Sequence, residues 1–472
     1  MNKIKYIIYL SVALFATTSC EDFLNITPDG QAKRDELLLT QQGVEDAMYG
    51  VYSQLRSTTL YGQELYFQSL EVMAHNLYCD GNTAIEALGK FEYENTQVKS
   101  LFEGIWTAMY KNISNVNSVL NSPLVADATE FPFSIYRGEA LGLRAFMHFD
   151  LVRLFAEQYT QNPTADGIPY ATEFSLNTPD FESLEKNYEH ILADLLEAER
   201  LLADENEYED LGNYMLDRQI HFNKYAVWGT LARVYLTMGN KEKAAEYAKK
   251  VIADGKYMLK EKTEVKDDVA GVLSRKECLF GIYHSGFYTQ VNAKLQQLTS
   301  FYSLEIRKDF KDIYEKDGSN GDYRTTAYFS ETRLSDSDIR SRLCKFTDIY
   351  EQNNNSASRP ADLILGINMI RVPEMYYIAT EALMDSIPHE AYGYFNAVRE
   401  HRGLKPFDDT QKLDTAVLAE EYFKEYIGEG QVFFNMKRLN SDISSFDGST
   451  TYKASKNIYV VPVPDIEMDN RN

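Results

Sequence analysis

The seven histidines, four cysteines and 71 acidic residues of this 472-residue chain are the side chains that could ligate a metal, attack a carbonyl or move a proton. Their spacing supports none of those reactions. His75, His148, His190, His221, His284, His389 and His401 are scattered without metal-ligand spacing, and the sequence holds no H-E-x-x-H, G-x-S-x-G, Walker loop or G-x-G-x-x-G. His148, within "FMHFDL", reads as a satisfied core histidine. Pairs of carboxylates can be drawn from almost any region of so acidic a chain, so they point to no reaction. The expectation is a non-enzyme with no catalytic residue, no metal and no cofactor.

Tyrosine is the side chain with chemistry to offer. With 34 Tyr and 25 Phe against two Trp, the chain is rich in rings that can pack a helix or stack on a sugar or a peptide, and composition does not separate those uses. The formal net charge of -23 argues against nucleic acid, whose phosphates need Lys and Arg, and against polybasic membrane docking.

Cys20 raises a different chemistry. Lys3 and Lys5 precede an apolar core from Tyr6 to Ala16 and the small residues Thr17, Thr18 and Ser19, the layout of a secretory signal peptide. The run is shorter than the roughly 20 apolar residues a spanning helix needs. A cysteine directly after small residues resembles the lipobox of bacterial lipoproteins, in which that cysteine is acylated and becomes the first residue. An ordinary signal peptide with an incidental cysteine is the alternative. Residues 1–19 are therefore set apart as a signal peptide, with residues 20–472 expected to form a single domain anchored through Cys20. Each buried methylene contributes about 0.8 kcal/mol, so more than one acyl chain anchors stably. Cys79, Cys278 and Cys344 are odd in number and form no C-x-x-C; they read as small buried hydrophobes, with one disulfide still open.

These side chains must be positioned by helices. Val44, Met48, Val51, Tyr52 and Leu55, then Leu101, Ile105, Met109, Ile113, Val116 and Leu120, recur at helical spacing. A long helix is expected from Tyr136 to about Tyr159, and another from Leu184 to Leu202 with Ser183 or a neighbour as its cap. The segment "KYAVWGTLARVYLTMGNKEKAAEYAKKVIADGKY" carries Trp228, Leu231, Ala232, Tyr235 and Ala244 at tetratricopeptide spacing, with Gly239-Asn240 as the turn. Small residues there let two helices approach, while Trp228 and Tyr235 are expected to fill the groove to the adjacent repeat. Ile378, Ala379, Ala382, Ala391, Phe395 and Val398 repeat the pattern. The fold class is mostly α, with a helical-repeat scaffold over about 40–255 and 365–440. Between them an insertion over about 260–360 has no sustained helical period, and its aromatic content argues for an ordered, functional segment.

Several separated stretches resemble one family. "CEDFLNITP" from Cys20, "RGEALGLRAFMHFDLVRLF", "ILADLLEAERLL" followed by "LARVYLTMGNKEKAAEYAKKVI", "IRVPEMYYIATEALM" with "FNAVREHRGL", "EEYFKEYIGEGQVFFNMKRL" and the ending "YVVPVPDIEMDN" look like the SusD/RagB family of Bacteroidetes outer-membrane lipoproteins, in family order. The resemblance implies a four-repeat tetratricopeptide scaffold whose irregular insertions carry the ligand site. It also implies a lipid-anchored protein on the outer membrane, facing outward, that captures glycans or peptides for a SusC-like TonB-dependent transporter.

In this family the site draws on the region after the first helices and on the mid-chain insertion. The corresponding residues here are Tyr61, Asn76, Tyr78, Asp80 and Asn82, then Tyr283, His284, Phe287, Tyr288 and Tyr302. Trp106 and Trp228 sit among core residues at helical spacing. Arg371, Glu374, Glu381, Arg399, Arg402, Glu429 and Arg438 read as buried ion pairs that fix helix packing. The expected function is non-catalytic capture of an oligosaccharide; a RagB-like peptide binder and a tetratricopeptide scaffold for a protein partner are the alternatives.

Overall fold

The computed structural model describes residues 36–175, 179–205, 212–261, 264, 273–296, 303–316, 321–333, 339–346, 364–408 and 410–469. Short polar side chains start the helices by accepting orphan backbone N–H groups. Ser183 accepts from Lys186 N, Asn223 from Tyr225 N and Ala226 N, and Asn240 from Lys243 N. The glycine at the turn before Asn240 has φ +77°, in the left-handed region that residues with a Cβ avoid.

Among the described residues eight helices carry the scaffold: α1 (Gln41–Leu55), α2 (Thr96–Leu120), α3 (Phe133–Phe155), α4 (Leu184–Leu201), α5 (Lys224–Thr237), α6 (Lys241–Asp254), α7 (Val372–Leu383) and α8 (Pro388–His401). Each packs on the next in chain order, giving four consecutive pairs. In the α5–α6 pair Ala232, Ala244 and Ala248 are fully buried. The Trp228 indole donates to Glu199 of α4 at 2.9 Å, tying that pair to the one before. Tyr235 stacks instead within its own pair, with its ring 5.8 Å from Tyr247. Ala245, Ala382, Leu383 and Ala391 form an alanine-rich seam joining α6 to α7 and α8.

Helix α3 is buried almost all round, and Glu139, Arg144 and His148 on it find partners inside the protein. Glu139 accepts from Tyr52 and Tyr214 and pairs with Arg218 at 2.5 Å. Arg144 grips Asp194 through two bonds of 2.7 Å. His148 donates from Nδ1 to the Arg144 carbonyl and accepts at Nε2 from Ala171 N. Burial pushes its pKa down to about 3, so it is a neutral core histidine. Trp106 and Trp228 are 3% and 8% exposed, which places both in the core.

The insertion leaves the scaffold after α6 and is clasped at both ends by one antiparallel pair, β1 (Cys278–Tyr283) against β2 (Gly366–Arg371). Strand β2 runs directly into α7. Beyond α8 the chain forms α9 (Thr415–Tyr426) and α10 (Gln431–Leu439). The "GEG" between them turns the chain through Gly428 at φ +83° and Gly430 at φ +71°. Among the described residues no helix is long and apolar enough to cross a membrane, and Cys278 is a buried free thiol.

Where insertion meets scaffold, charges are buried together. Arg371 contacts Glu425, Glu429 and Glu277; Arg402 contacts Glu425 and Glu277; Arg324 contacts Asp322, Glu421 and Glu425. Arg399 and Lys424 pair with Glu421, and Lys345 with Glu429. Outside that cluster Glu374 pairs with Arg233, and Glu381 with Arg438. Burial alone raises the Glu425 pKa, but the Arg402 and Arg371 guanidiniums outweigh it and hold the carboxyl well below the ordinary range.

Helix spacing generates a direct test. A Cβ on Gly142 of α3 falls 2.3 Å from the fully buried Phe222 ring, whereas one on Gly50 in α1 meets nothing within 4 Å. Gly142→Ala is expected to lower stability by about 1–3 kcal/mol. Gly50→Ala is expected to raise it by about 0.5–1 kcal/mol through helix propensity. Urea midpoints of the two variants measure both, and equal midpoints contradict the close approach.

Candidate functional site

The two candidate stretches are far apart in sequence and meet through a strand pair. Leu77–Tyr78 pairs antiparallel with β3 (Glu305–Ile306), Tyr78 lying opposite Glu305, and Arg307 N donates to Asn76 O at 2.9 Å. From Tyr283 the chain runs through a short helix, Phe287–Val291, and a π-helical turn, Asn292–Gln296. Leu304 N then donates to the Lys294 carbonyl, which leads the chain into β3.

Burial sorts the candidate residues. Tyr61 is 1% exposed, with its hydroxyl donating to Asp150 at 2.7 Å and its ring 5.9 Å from Phe146. Phe287 is also 1% exposed, among Tyr66, Phe67 and Phe346. Asn76 is fully buried. These three belong to the core and offer no face to a ligand, because apolar rings and a bonded amide gain more from the interior than from water. His284 is buried as well, accepting at Nδ1 from Gly286 N and lying 5.8 Å from Phe287. Asn82 caps the helix Thr83–Gly89 by accepting from Ile85 N at 3.2 Å. Tyr302 and Cys20 lie outside the described residues.

Tyr78, Asp80, Tyr283 and Tyr288 reach the surface. Tyr283, at the end of β1, is 46% exposed. Tyr78 is half-buried with its ring 5.1 Å from Phe446 and tilted by 33°, so two aromatic planes lie side by side. Exposed Asp80 and Asp447 and half-buried Glu305 stand in the segments that carry this pair. Serine and backbone donors, led by Ser449 N, hold the Asp447 carboxyl below its usual pKa. Such an arrangement supplies flat apolar faces beside carboxylate acceptors, which suits sugar C–H faces and hydroxyls.

Phe446 was not among the candidates of the sequence. It sits in "SFDGST", a segment that reads as a turn but carries no register to Tyr78. The residue that places it is His75, which donates from Nε2 to Gly89 O and accepts at Nδ1 from Phe446 N. Its ring stacks on Tyr452 at 5.0 Å. Burial lowers the His75 pKa to about 4, so this clamp stays neutral at ordinary pH.

Asn76 and Glu71 support the strand from behind. The Asn76 amide donates to Glu71 Oε2, and Gly430 N at the start of α10 donates to Glu71 Oε1, both at 2.8 Å. Among the described residues no group of three or more His, Cys, Asp or Glu is arranged to hold a metal ion. The surface grooves near Tyr93–Asp465 and near Tyr110–Glu173 are lined by none of the nine candidates among the described residues.

Two family models divide the chain between them. One, SusD-like, described as "Starch-binding associating with outer membrane", matches residues 22–236. The other, of the SusD family with RagB, matches residues 233–470. A SusD-like protein of Formosa agariphila is 23% identical over 98% of this chain and 97% of its own length. Among solved structures, a SusD superfamily protein of Bacteroides thetaiotaomicron superposes with a TM-score of 0.72 at 22% identity, covering 91% of this chain and 98% of that one. A SusD-like carbohydrate binding protein of Bacteroides vulgatus gives a TM-score of 0.72 at 20% identity, covering 91% and 96%.

The Glu71 carboxyl yields a pH prediction. Burial raises its pKa from 4.5 to about 7, against the Asn76 and glycine hydrogen bonds that lower it. A carboxyl raised on folding contributes stability that is present below about pH 4.5 and lost as pH rises through 7. In Glu71→Gln the amide donates to Asn76 Oδ1, which has no partner in the native protein, once the Asn76 amide flips. Between pH 4.5 and 8 wild type is expected to lose up to roughly 3 kcal/mol relative to that variant. Denaturant unfolding at the two pH values measures it, and parallel pH profiles contradict it.

Proposed function

We propose, from the premise that the chain belongs to the SusD family, that it is a non-catalytic glycan-binding lipoprotein. The observation that carries this reading is the half-exposed Tyr78–Phe446 pair flanked by carboxylates, on a chain matched by SusD-family models from residue 22 to 470. The mature chain, residues 20–472, acts as one folded unit, held to the outer membrane by acyl chains on Cys20 and facing outward. It captures an oligosaccharide and passes it to a SusC-like TonB-dependent transporter.

Tyr78, Asp80, Tyr283 and Tyr288 are the contacts we assign from the candidate set, with Phe446 added as the partner of Tyr78. Asn82 is taken up as a helix cap, and Asn76 holds the strand that carries Tyr78. The surface rings supply stacking, and neighbouring carboxylates accept from sugar hydroxyls. On this reading the ligand is held and handed on with its chemistry unchanged.

Calorimetry of the mature chain against a glycan panel and a peptide panel tests the reading. Binding is expected for a glycan and not for peptides; binding to peptides alone moves the protein to the RagB-like alternative. Tyr78→Ala and Tyr283→Ala are each expected to weaken glycan affinity about tenfold. Tyr61→Phe is expected to leave affinity unchanged while lowering stability by about 1–2 kcal/mol, through loss of the Asp150 bond.

A further inference from the structure

Phe446 is held beside Tyr78 by both of its backbone groups. Its N–H donates to His75 Nδ1 at 3.2 Å, and its carbonyl accepts from Lys308 N, in the insertion, at 3.3 Å. His75 Nε2 is committed as well, lying 2.8 Å from the Gly89 carbonyl at the end of the helix Thr83–Gly89. A neutral imidazole has one donor and one acceptor nitrogen, and these two partners use each of them once. Protonation turns Nδ1 into a second donor, which then meets the Phe446 N–H head on.

The surroundings of the ring work against that proton. His75 is 5% exposed, with the Tyr452 ring stacked on it at 5.0 Å and the Phe91 ring at 5.9 Å. Two charged groups act on it: Arg307 disfavours the imidazolium, while Asp447, next to Phe446, favours it. Of these two ring neighbours only Tyr452 titrates, and burial, Asp447 and Glu92 hold its phenol above the ordinary range. The backbone is loaded too. His75 and Phe91 have φ of +55° and +57°, the left-handed region that residues with a Cβ avoid. Such conformations persist only while their surroundings enforce them, so losing the Phe446 bond removes a restraint from a strained corner.

We propose that His75 is a proton-operated latch on the glycan site: a proton on Nδ1 releases Phe446 from Tyr78, so a captured glycan is let go in acid. The latch regulates the site assigned above and rests on the glycan reading for its ligand. With the latch open the imidazole meets water and titrates near its ordinary 6.5, whereas burial holds the closed form down to about 4. Between those values the open form binds more protons, so the latch is shut above about pH 6.5 and loosens as pH falls towards 4. That separation makes the ratio of closed to open form roughly a hundredfold lower at pH 4 than at pH 7.

Hydrogen exchange of the intact protein without any ligand tests the latch, which keeps its failure distinct from a failure to bind glycan. After correction for intrinsic rate, protection of the Phe446 amide is expected to fall about a hundredfold between pH 7 and pH 4, while α2 and α3 keep theirs. His75→Asn tolerates the left-handed backbone and cannot titrate, so its hairpin is expected to be weakly protected at both pH values. If that variant folds poorly, wild type decides alone, with α2 and α3 as the internal reference. For the glycan bound in the calorimetric panel, affinity is expected to fall in step with Phe446 protection. Protection at Phe446 that ignores pH, falls equally in His75→Asn or falls only together with α2 and α3 overturns the latch; affinity unchanged at pH 4 overturns its control of the ligand.

Discussion

The structure depends on charges buried where the insertion meets the repeat scaffold. Arg371 at the end of β2, Arg402 after α8, and Glu421, Glu425 and Glu429 in and just after α9 come from the scaffold side. Glu277, Asp322, Arg324 and Lys345 come from the insertion. Glu425 alone faces three guanidiniums. Buried pairs of this kind add little stability over a well-packed apolar core, yet removing one member strands a charge at a cost of about 3–5 kcal/mol. Their value lies in selectivity: an insertion of irregular sequence has few hydrophobic registers to choose from, and bidentate guanidinium–carboxylate geometry admits one.

That constraint organises the rest. With β1 and β2 clasped and Arg371 locked, the chain leaving Tyr283 has a fixed direction, and β3 arrives beside Tyr78. The hairpin carrying Phe446 is then pinned by His75 against the same strand. A rigid helical frame and a polar lock together hold aromatic faces outward on segments that have little regular structure of their own. This division of labour explains why Tyr61 and Tyr78, close in sequence, have opposite fates: Tyr61 faces α3 and is absorbed by Asp150, while Tyr78 sits on a strand at the edge of the frame.

Much of the frame was legible in the sequence because its causes are local. Helical spacing, the Ser183 cap, the Gly239-Asn240 turn and the small residues of α5 and α6 all act within a few residues. The buried role of Arg371, Glu374, Arg399, Arg402 and Glu429 was legible too, since long charged residues inside helix-forming apolar runs need partners, whereas Glu381 and Arg438 pair only half-buried. The partners in the insertion were not, for Glu277 meets Arg371 and Arg402, and Arg324 meets Glu421 and Glu425, through long-range packing that no spacing encodes. The candidate site fared less evenly for the same reason. Sequence located the two stretches that meet, but Tyr61, Asn76 and Phe287 are interior, and Phe446 and His75 are joined to Tyr78 only by the fold. Tyrosine suits both a half-buried core and a stacking face, so its type alone never separates the two.

Hydrogen exchange of Glu425→Gln against wild type, read segment by segment, tests most directly whether the buried charges hold the insertion in place. The account predicts faster exchange in 278–283, 303–316, 321–333, 339–346 and 366–371 and at the Leu77–Tyr78 strand, with α1 to α4 protected as before. Exchange that rises evenly through every helix, or that does not change in those segments, contradicts it.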